Sequence, residues 1–308
     1  MTTTPPPIQV VLPPADGTGD VTATLRATKR RLTSPWATVA AIVLATVWTV
    51  PTLGLLVTSF RPAADINATG WWTVLTNPNF TLENYETVLA TDSSQSLLPF
   101  IINSVVITIP SVILPIFLAT LAAYSFAWMS FRGRDALFVA VFALQVVPIQ
   151  VTLIPLLSIY ADIGVAGTFW AVWISHTMFG LPLAVFLLHN FMREIPGELV
   201  EAARVDGAAH VTVFFRLMLP LLKPALAAFG IYQFLWVWND LLVALTFAGS
   251  SNQVAPMTVA LFNLTGTRGS QWFLLSAGAF VSIIVPAIVF LSLQRYFVKG
   301  LLAGSVKG

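Results

Sequence analysis

The sequence of 308 residues contains no cysteine, so neither a disulfide framework nor a thiolate metal site takes part in its fold. Charge is almost as scarce. Asp, Glu, Lys and Arg make up 9% of the chain, against roughly 25% in soluble domains, while 57% of residues are hydrophobic and the mean hydropathy is +0.84. Such a chain belongs in a bilayer. The sequence also lacks G-x-x-x-x-G-K-[ST], so it carries no phosphate loop of that kind. It lacks H-E-x-x-H and G-x-S-x-G, and no intramembrane base is paired with a nucleophile, which argues against an enzyme. The net charge of +2 and pI near 9.1 do not indicate nucleic acid, because the basic residues gather on no soluble module. No internal repeat is visible, which removes the ground for an inverted-repeat carrier.

What is present is a set of long uncharged runs. About 20 such residues cover a ~30 Å hydrocarbon layer at ~1.5 Å per residue. Five runs stand out: Trp36 to Phe60, Ser93 to Phe131, Ala136 to Ala161, Ile163 to Met192 and Gly269 to Gln294. A sixth, Pro224 to Phe247, is interrupted only by Asp240. They predict an all-α integral membrane protein with spans at about 36–60, 98–128, 136–160, 168–192, 224–247 and 271–295. The first run follows Arg26, Lys29, Arg30 and Arg31 like a signal peptide, but it is too long for an h-region and no small-x-small cleavage site closes it. Met1 to Ala27 is rich in Pro and Thr with little to bury, so 1–35 reads as a disordered cytoplasmic tail and 36–308 as the membrane domain.

Lys and Arg placement sets the topology. With six spans, the N-terminal basics, Arg132, Arg134, Arg193, Arg204, Arg216, Lys223, Arg295, Lys299 and Lys307 share one side, and only Arg61 and Arg268 lie opposite. Splitting Ser93 to Phe131 into two helices would leave five basics inside and ten outside, contrary to the positive-inside rule. Six spans with both termini in the cytoplasm follow. The outer loops, Arg61 to Leu98, a short one near Asp162 and Ala248 to Ser270, are each below the ~50 residues of an independent core.

Between the fourth and fifth spans the loop 193–223 reads as two short cytoplasmic helices. Pro196 suits a first turn, Glu194, Glu198 and Glu201 favour its N-terminal half through the helix dipole, and Gly207 is placed as a left-handed terminator. A second helix from about Ala208 to Leu219 is expected to end before Pro220. Ala202 and Ala203 keep one face small enough for another protein's backbone, and Glu201 offers a charge at its edge. The loop is a docking element.

Glu201-Ala202-Ala203, three residues ending in Asp206, then Gly207, nine residues, Leu217, Met218 and Leu219-Pro220 resembles the EAA loop of binding-protein-dependent ABC importers, departing from it only in Leu217 for the usual isoleucine. The resemblance implies a type I importer permease of the bacterial cytoplasmic membrane. In that family the loop seats a coupling helix in a cleft of the ATP-binding subunit; here Glu201 would make polar contact and Gly207 would set the bend, with Ala202, Ala203, Asp206, Leu217 and Pro220 completing the surface. It further implies two ATP-binding subunits, a sister permease and an extracytoplasmic binding protein as partners, in a lipid membrane, with ATP and Mg on the partner ATPase and no cofactor on this chain.

The C-terminus, Gln294 to Gly308, resembles the tail of carbohydrate permeases related to the second permease subunit of the maltose transporter. That implies import of a sugar, a di- or oligosaccharide such as an α-glucoside, with glycerol phosphate as the alternative solute. The rival class is an ion-coupled secondary transporter using Asp240. The tail residues Gly304, Val306, Lys307 and Gly308 would reach the ATPase, or Arg295, Lys299 and Lys307 would only anchor the last helix at the anionic inner leaflet. Trp238-Asn239-Asp240 is similar to a W-N-D/E element of these permeases. Asp240 falls about 24 Å along its span, where a carboxylate faces either the translocation path or a buried network with Asn239, Gln233 or a neighbouring subunit. By position, Asn263, Thr265, Gly266, Thr267 and Arg268 would meet the binding protein, or form plain solvated turns.

His176, His189 and His210 lack the i, i+4 spacing of a helical metal site and read as hydrogen-bonded structural histidines. Gln145 and Gln150 read as interhelical bonds rather than sugar contacts.

Overall fold

A backbone in hydrocarbon must satisfy its own hydrogen bonds, and all regular elements among the described residues of this computed structural model are helical. Those residues are 35–91, 93–266 and 271–303, with 295–303 described as backbone. The predicted tail 1–35 lies almost wholly outside them. The chain divides into two units, Met1–Leu55 and Leu56–Gly308. Most of helix α1 (Pro35–Ser59) is the described part of the first; it is apolar on all sides and exposed from 35 to 53, as suits a helix bathed in lipid.

The second unit begins with a short scaffold, α2 (Ala63–Ala68), a 3₁₀ turn at Trp71–Leu75 and α3 (Glu83–Leu89). Arg61, 4% exposed, organises it. Its guanidinium donates to the carbonyls of Asp65 (3.2 Å) and Thr69 (3.3 Å) and to the hydroxyls of Thr69 and Thr73. Asn84 donates to the carbonyls of Ser59 and Arg61, both at 2.9 Å, which ties α3 back to the end of α1.

Helix α4 (Leu98–Trp128) has the predicted bounds of the second span and carries Pro110 and Pro115 without ending. The third span differs from the continuous helix expected at 136–160. Helix α5 (Arg134–Ala143) runs on through a 3₁₀ turn at Leu144–Val146, and α6 (Ile149–Asp162) leaves at 99°. Pro148 is the physical reason: it drives Val147 to an extended conformation (φ −73°, ψ 118°) and removes an amide from the ladder. Helix α7 (Phe169–Arg193) follows, then the loop helices α8 (Gly197–Val205) and α9 (His210–Leu221), and α10 (Lys223–Trp238), which bends 69° from α9. Pro220 does not end α9 as expected. Val213–Met218 is π-helical, and a register that has already shifted its carbonyls tolerates a residue with no amide. The fifth span is broken too. After α10 the chain turns at 239–241 into the short α11 (Leu242–Phe247), then α12 (Met257–Thr265) and α13 (Trp272–Ala303), which outruns the predicted end at 295. Among the described residues four helices are long and apolar enough to cross a membrane, and six spans result if each bent pair counts as one.

The core of the second unit forms where α4 and α7 meet along Ala119, Ala123, Ala127 and Ala184, small residues that let two backbones approach. Helix α10 lies against both. Its Gln233, fully buried, donates to the carbonyl of Ser111 on α4 (3.1 Å) and reaches that of His176 on α7 (3.5 Å). This polar clasp requires glycine at 180, since a Cβ there would lie 2.8 Å from the Gln233 carboxamide. Gly180→Ala is expected to destabilise the protein by about 1–3 kcal/mol. Adding Gln233→Ala should recover part of that loss in thermal unfolding in detergent; strictly additive losses would show that the two positions do not share the space.

Candidate functional site

The loop joining α7 to α10 is built from two amphipathic pieces. In α8, Val200 is buried and Ala203 half-buried, while Glu201, Ala202, Arg204 and Val205 point away. The two alanines therefore divide: Ala203 packs inward and Ala202 belongs to the free face. Helix α8 ends in a Schellman turn, in which the Gly207 amide donates to Arg204 O and the Ala208 amide to Ala203 O, both at 2.9 Å. The motif needs a left-handed residue, and Gly207 has φ +82° with open space where a side chain would start. Asp206 stands exposed beside it.

Helix α9 buries Val213, Phe214 and Met218 against the ends of α4 and α7, with Leu217 half-buried beside them. Tyr124 of α4 fixes the joint. Its ring meets Phe214 edge-on at 5.3 Å, and its hydroxyl lies 2.9 Å from His210 Nδ1. Arg204 Nη2 lies 3.1 Å from His210 Nε2. The same Nη2 lies 3.4 Å from Nδ1, and the Tyr124 hydroxyl also donates to the His210 carbonyl at 3.4 Å. The chain Arg204, His210, Tyr124 thus links the free edge of α8 to the end of a span. Sequence reasoning missed Tyr124 and Arg204, because Tyr124 and His210 are 86 positions apart with no spacing to suggest the pair. Opposite this seat, Val205 is 87% exposed, Val211 67% and Phe215 54%. Glu201, Ala202 and Asp206 are exposed in the same loop, and large apolar side chains left in the open are of the kind that a partner covers.

The other predicted positions lie elsewhere. Asp240 sits in the break after α10, where its carboxylate accepts from the amides of Val243 (3.3 Å) and Ala244 (2.9 Å) and so caps α11. Its carbonyl accepts from Thr258 Oγ1 at 2.6 Å, and Trp238 Nε1 donates to Ser282 O at 3.1 Å. Asn239 is exposed, and its side chain donates to Leu235 O of its own helix. His176 approaches the Asp240 carboxylate, with Nε2 3.7 Å from Oδ2. Contrary to expectation, among the described residues neither ring nitrogen of His176 has a hydrogen-bond partner, nor does Nδ1 of His189, whose ring packs on Phe138 at 4.3 Å. Asn263 and Gly266 are exposed at the end of α12. Thr267, Arg268, Gly304, Val306, Lys307 and Gly308 lie outside the described residues.

Residues 111–302 match the family described as binding-protein-dependent transport system inner membrane component, a stretch that includes the whole of the α8–α9 loop. The chain is 52% identical over 273 residues to the osmoprotective compounds uptake permease protein GgtD of Synechocystis sp., covering 87% of this chain and 91% of that one. It is 49% identical over 243 residues to the alpha-glucoside transport system permease protein AglG of Rhizobium meliloti, covering 77% of this chain and 63% of that longer protein. The arabinooligosaccharides transport system permease protein AraQ of Halalkalibacterium halodurans is 31% identical, over 91% of this chain and all of that one. Among solved structures, a bacterial ABC transporter involved in import of the acidic polysaccharide alginate superposes with a TM-score of 0.69 at 19% identity, covering 93% of this chain and 100% of the matched chain.

Gly207→Ala is expected to keep the fold and loosen the loop, because a non-glycine residue in the left-handed region costs about 1–2 kcal/mol. Amide hydrogen exchange over 203–208 should quicken by about five- to thirtyfold, 1.4 kcal/mol being a factor of about ten; unchanged exchange would mean that the Schellman turn does not hold the loop.

Proposed function

We propose, from the premise that the chain belongs to the family of binding-protein-dependent ABC importer permeases of the bacterial inner membrane, that it imports an α-glucoside or a related small oligosaccharide. The observation that carries the coupling part of this reading is the exposed apolar surface of Val205, Val211 and Phe215 beside Glu201 and Asp206, seated through Tyr124 on the end of a span. Such a surface fits the cleft of an ATP-binding subunit, two of which would serve this chain and a sister permease. ATP and Mg would be held there, since this sequence has no phosphate loop. Glu201, Ala202 and Asp206 form the rim of the contact, Gly207 its bend, Ala203 and Leu217 its footing, and Pro220 closes the segment. The tail at Gly304 to Gly308 is assigned to the same partner, and Asn263 to Arg268 to the binding protein. Residues 1–35 form the cytoplasmic tail and 36–308 the membrane domain, with both termini inside.

The sugar reading draws on the similarity to AglG and on the C-terminal tail. A second reading has its own observation, the 52% identity to a permease for osmoprotective compounds. The two converge if the osmoprotectant is itself a small glucoside. For Asp240, the cap on α11 supports a joint that sets the outer part of the fifth span rather than a coupling acid.

Two outcomes are expected with the complete complex in liposomes. Uptake of an α-glucoside should require ATP inside and binding protein outside; uptake by this chain alone on an ion gradient would establish a secondary carrier instead, and selective uptake of glycerol phosphate would overturn the sugar. Gly207→Pro, which adds a fixed negative φ to a φ +82° position and deletes the amide bonded to Arg204, should reach the membrane at normal levels yet lose at least tenfold in both transport and stimulated ATP hydrolysis. Wild-type rates in that variant would end the coupling assignment.

A further inference from the structure

The break in the third span is not explained by coupling. The segment Arg134–Val146 and α6 are each too short to cross a ~30 Å hydrocarbon layer at ~1.5 Å per residue, so the 99° turn between them stands at membrane depth. Irregular backbone is tolerated there only when it is covered by protein or lines a wet cavity. Gln145 and Gln150 flank the turn, both exposed, and neither makes a hydrogen bond to another residue of the described chain through its side chain. The sequence suggested that these glutamines bridge helices. They bridge nothing here, and an amide left facing lipid tails is the least stable placement available to it.

The turn opens on a cavity of about 360 Å³ lined by Gln145, Gln150 and Thr152 from the third span and by Met178, Phe179 and Pro182 from α7. Its size is that of a small-molecule site. No Asp, Glu, Lys, Arg or His lines it. Each glutamine offers two N–H donors and a carbonyl acceptor, which complements hydroxyl groups that both donate and accept. Met178 and Phe179 supply the apolar surface that the C–H face of a pyranose needs, and Thr152, whose hydroxyl already donates to Ile149 O at 2.7 Å, keeps an acceptor lone pair free. A phosphorylated or carboxylated solute would find no cation.

We propose that the broken third span and the adjoining turn of α7 form a transit site for a neutral polyhydroxyl solute, with Gln145 and Gln150 as its hydrogen-bonding pair. The proposal rests on the sugar-import reading and gives this subunit direct contact with the sugar. It also explains why the span is broken: a straight helix would turn these amides past one another along its own surface, whereas the bend sets both at one opening.

The test uses the complete complex with its binding protein in liposomes. Gln145→Ala/Gln150→Ala is expected to raise the KM for α-glucoside uptake at least tenfold, with the binding protein's own affinity for the sugar unchanged and stimulated ATP hydrolysis kept. A wild-type complex that moves no sugar refutes the import reading; a wild-type complex that moves sugar, with variant KM unaltered, refutes the transit site alone. If the variant instead loses its sister permease during purification, with sugar kinetics unaffected in the assembled fraction, the glutamines belong to a subunit interface and the proposal falls. For the case that the double variant does not assemble, a diazirine-bearing α-glucoside added to turning-over wild-type complex should label Met178 or Phe179, read by peptide mass spectrometry. Labelling confined to the sister permease overturns the proposal.

Discussion

The absence of hydrogen-bonding solvent inside a bilayer is the constraint from which the rest of this protein follows. Each departure from regular helix at depth needs named partners, and the structure supplies them unevenly. At the break after α10, Asp240 caps α11, Thr258 bonds the Asp240 carbonyl, and Trp238 reaches Ser282 on α13. Nearby, Ser104 Oγ accepts from the Met257 amide at 2.8 Å, and Asn103 donates to the carbonyls of Asn252 and Ala255. That break is closed by the chain itself. Among the described residues the break at Val147–Pro148 has no comparable set of side-chain bonds, so the two breaks are held in different ways.

The same constraint explains what the sequence made legible. Charge-free runs mark candidate spans because a charge at depth is costly, and α4 lies inside the run Ser93 to Phe131. Bends were not legible. Pro51, Pro110, Pro115, Pro155, Pro182 and Pro286 all lie inside continuing helices, so Pro148 could not be singled out by residue type. What distinguishes it is an extended Val147 before it, which only the folded chain reveals. The motif around Glu201 was readable because its spacing is local, whereas the Tyr124–His210 bond that seats the loop joins distant positions and left no pattern.

The loop between α7 and α10 divides its labour between two kinds of small residue. Ala203 makes room for the core beneath it, and Ala202 stands exposed on the other face. Gly207 is needed for its backbone alone, since nothing lies within 4 Å of the missing side chain. A motif written as one word, E-A-A and G, is therefore a composite of packing, approach and conformational demands that happen to fall within seven positions.

Arg61 counts as one of two basic residues outside the cytoplasmic set, but its guanidinium is enclosed by the carbonyls and hydroxyls of its own loop. A charge held that way is withheld from lipid headgroups once the loop has folded. Enclosed in this way, Arg61 contributes shape rather than surface charge to the segment that joins α1 to α3.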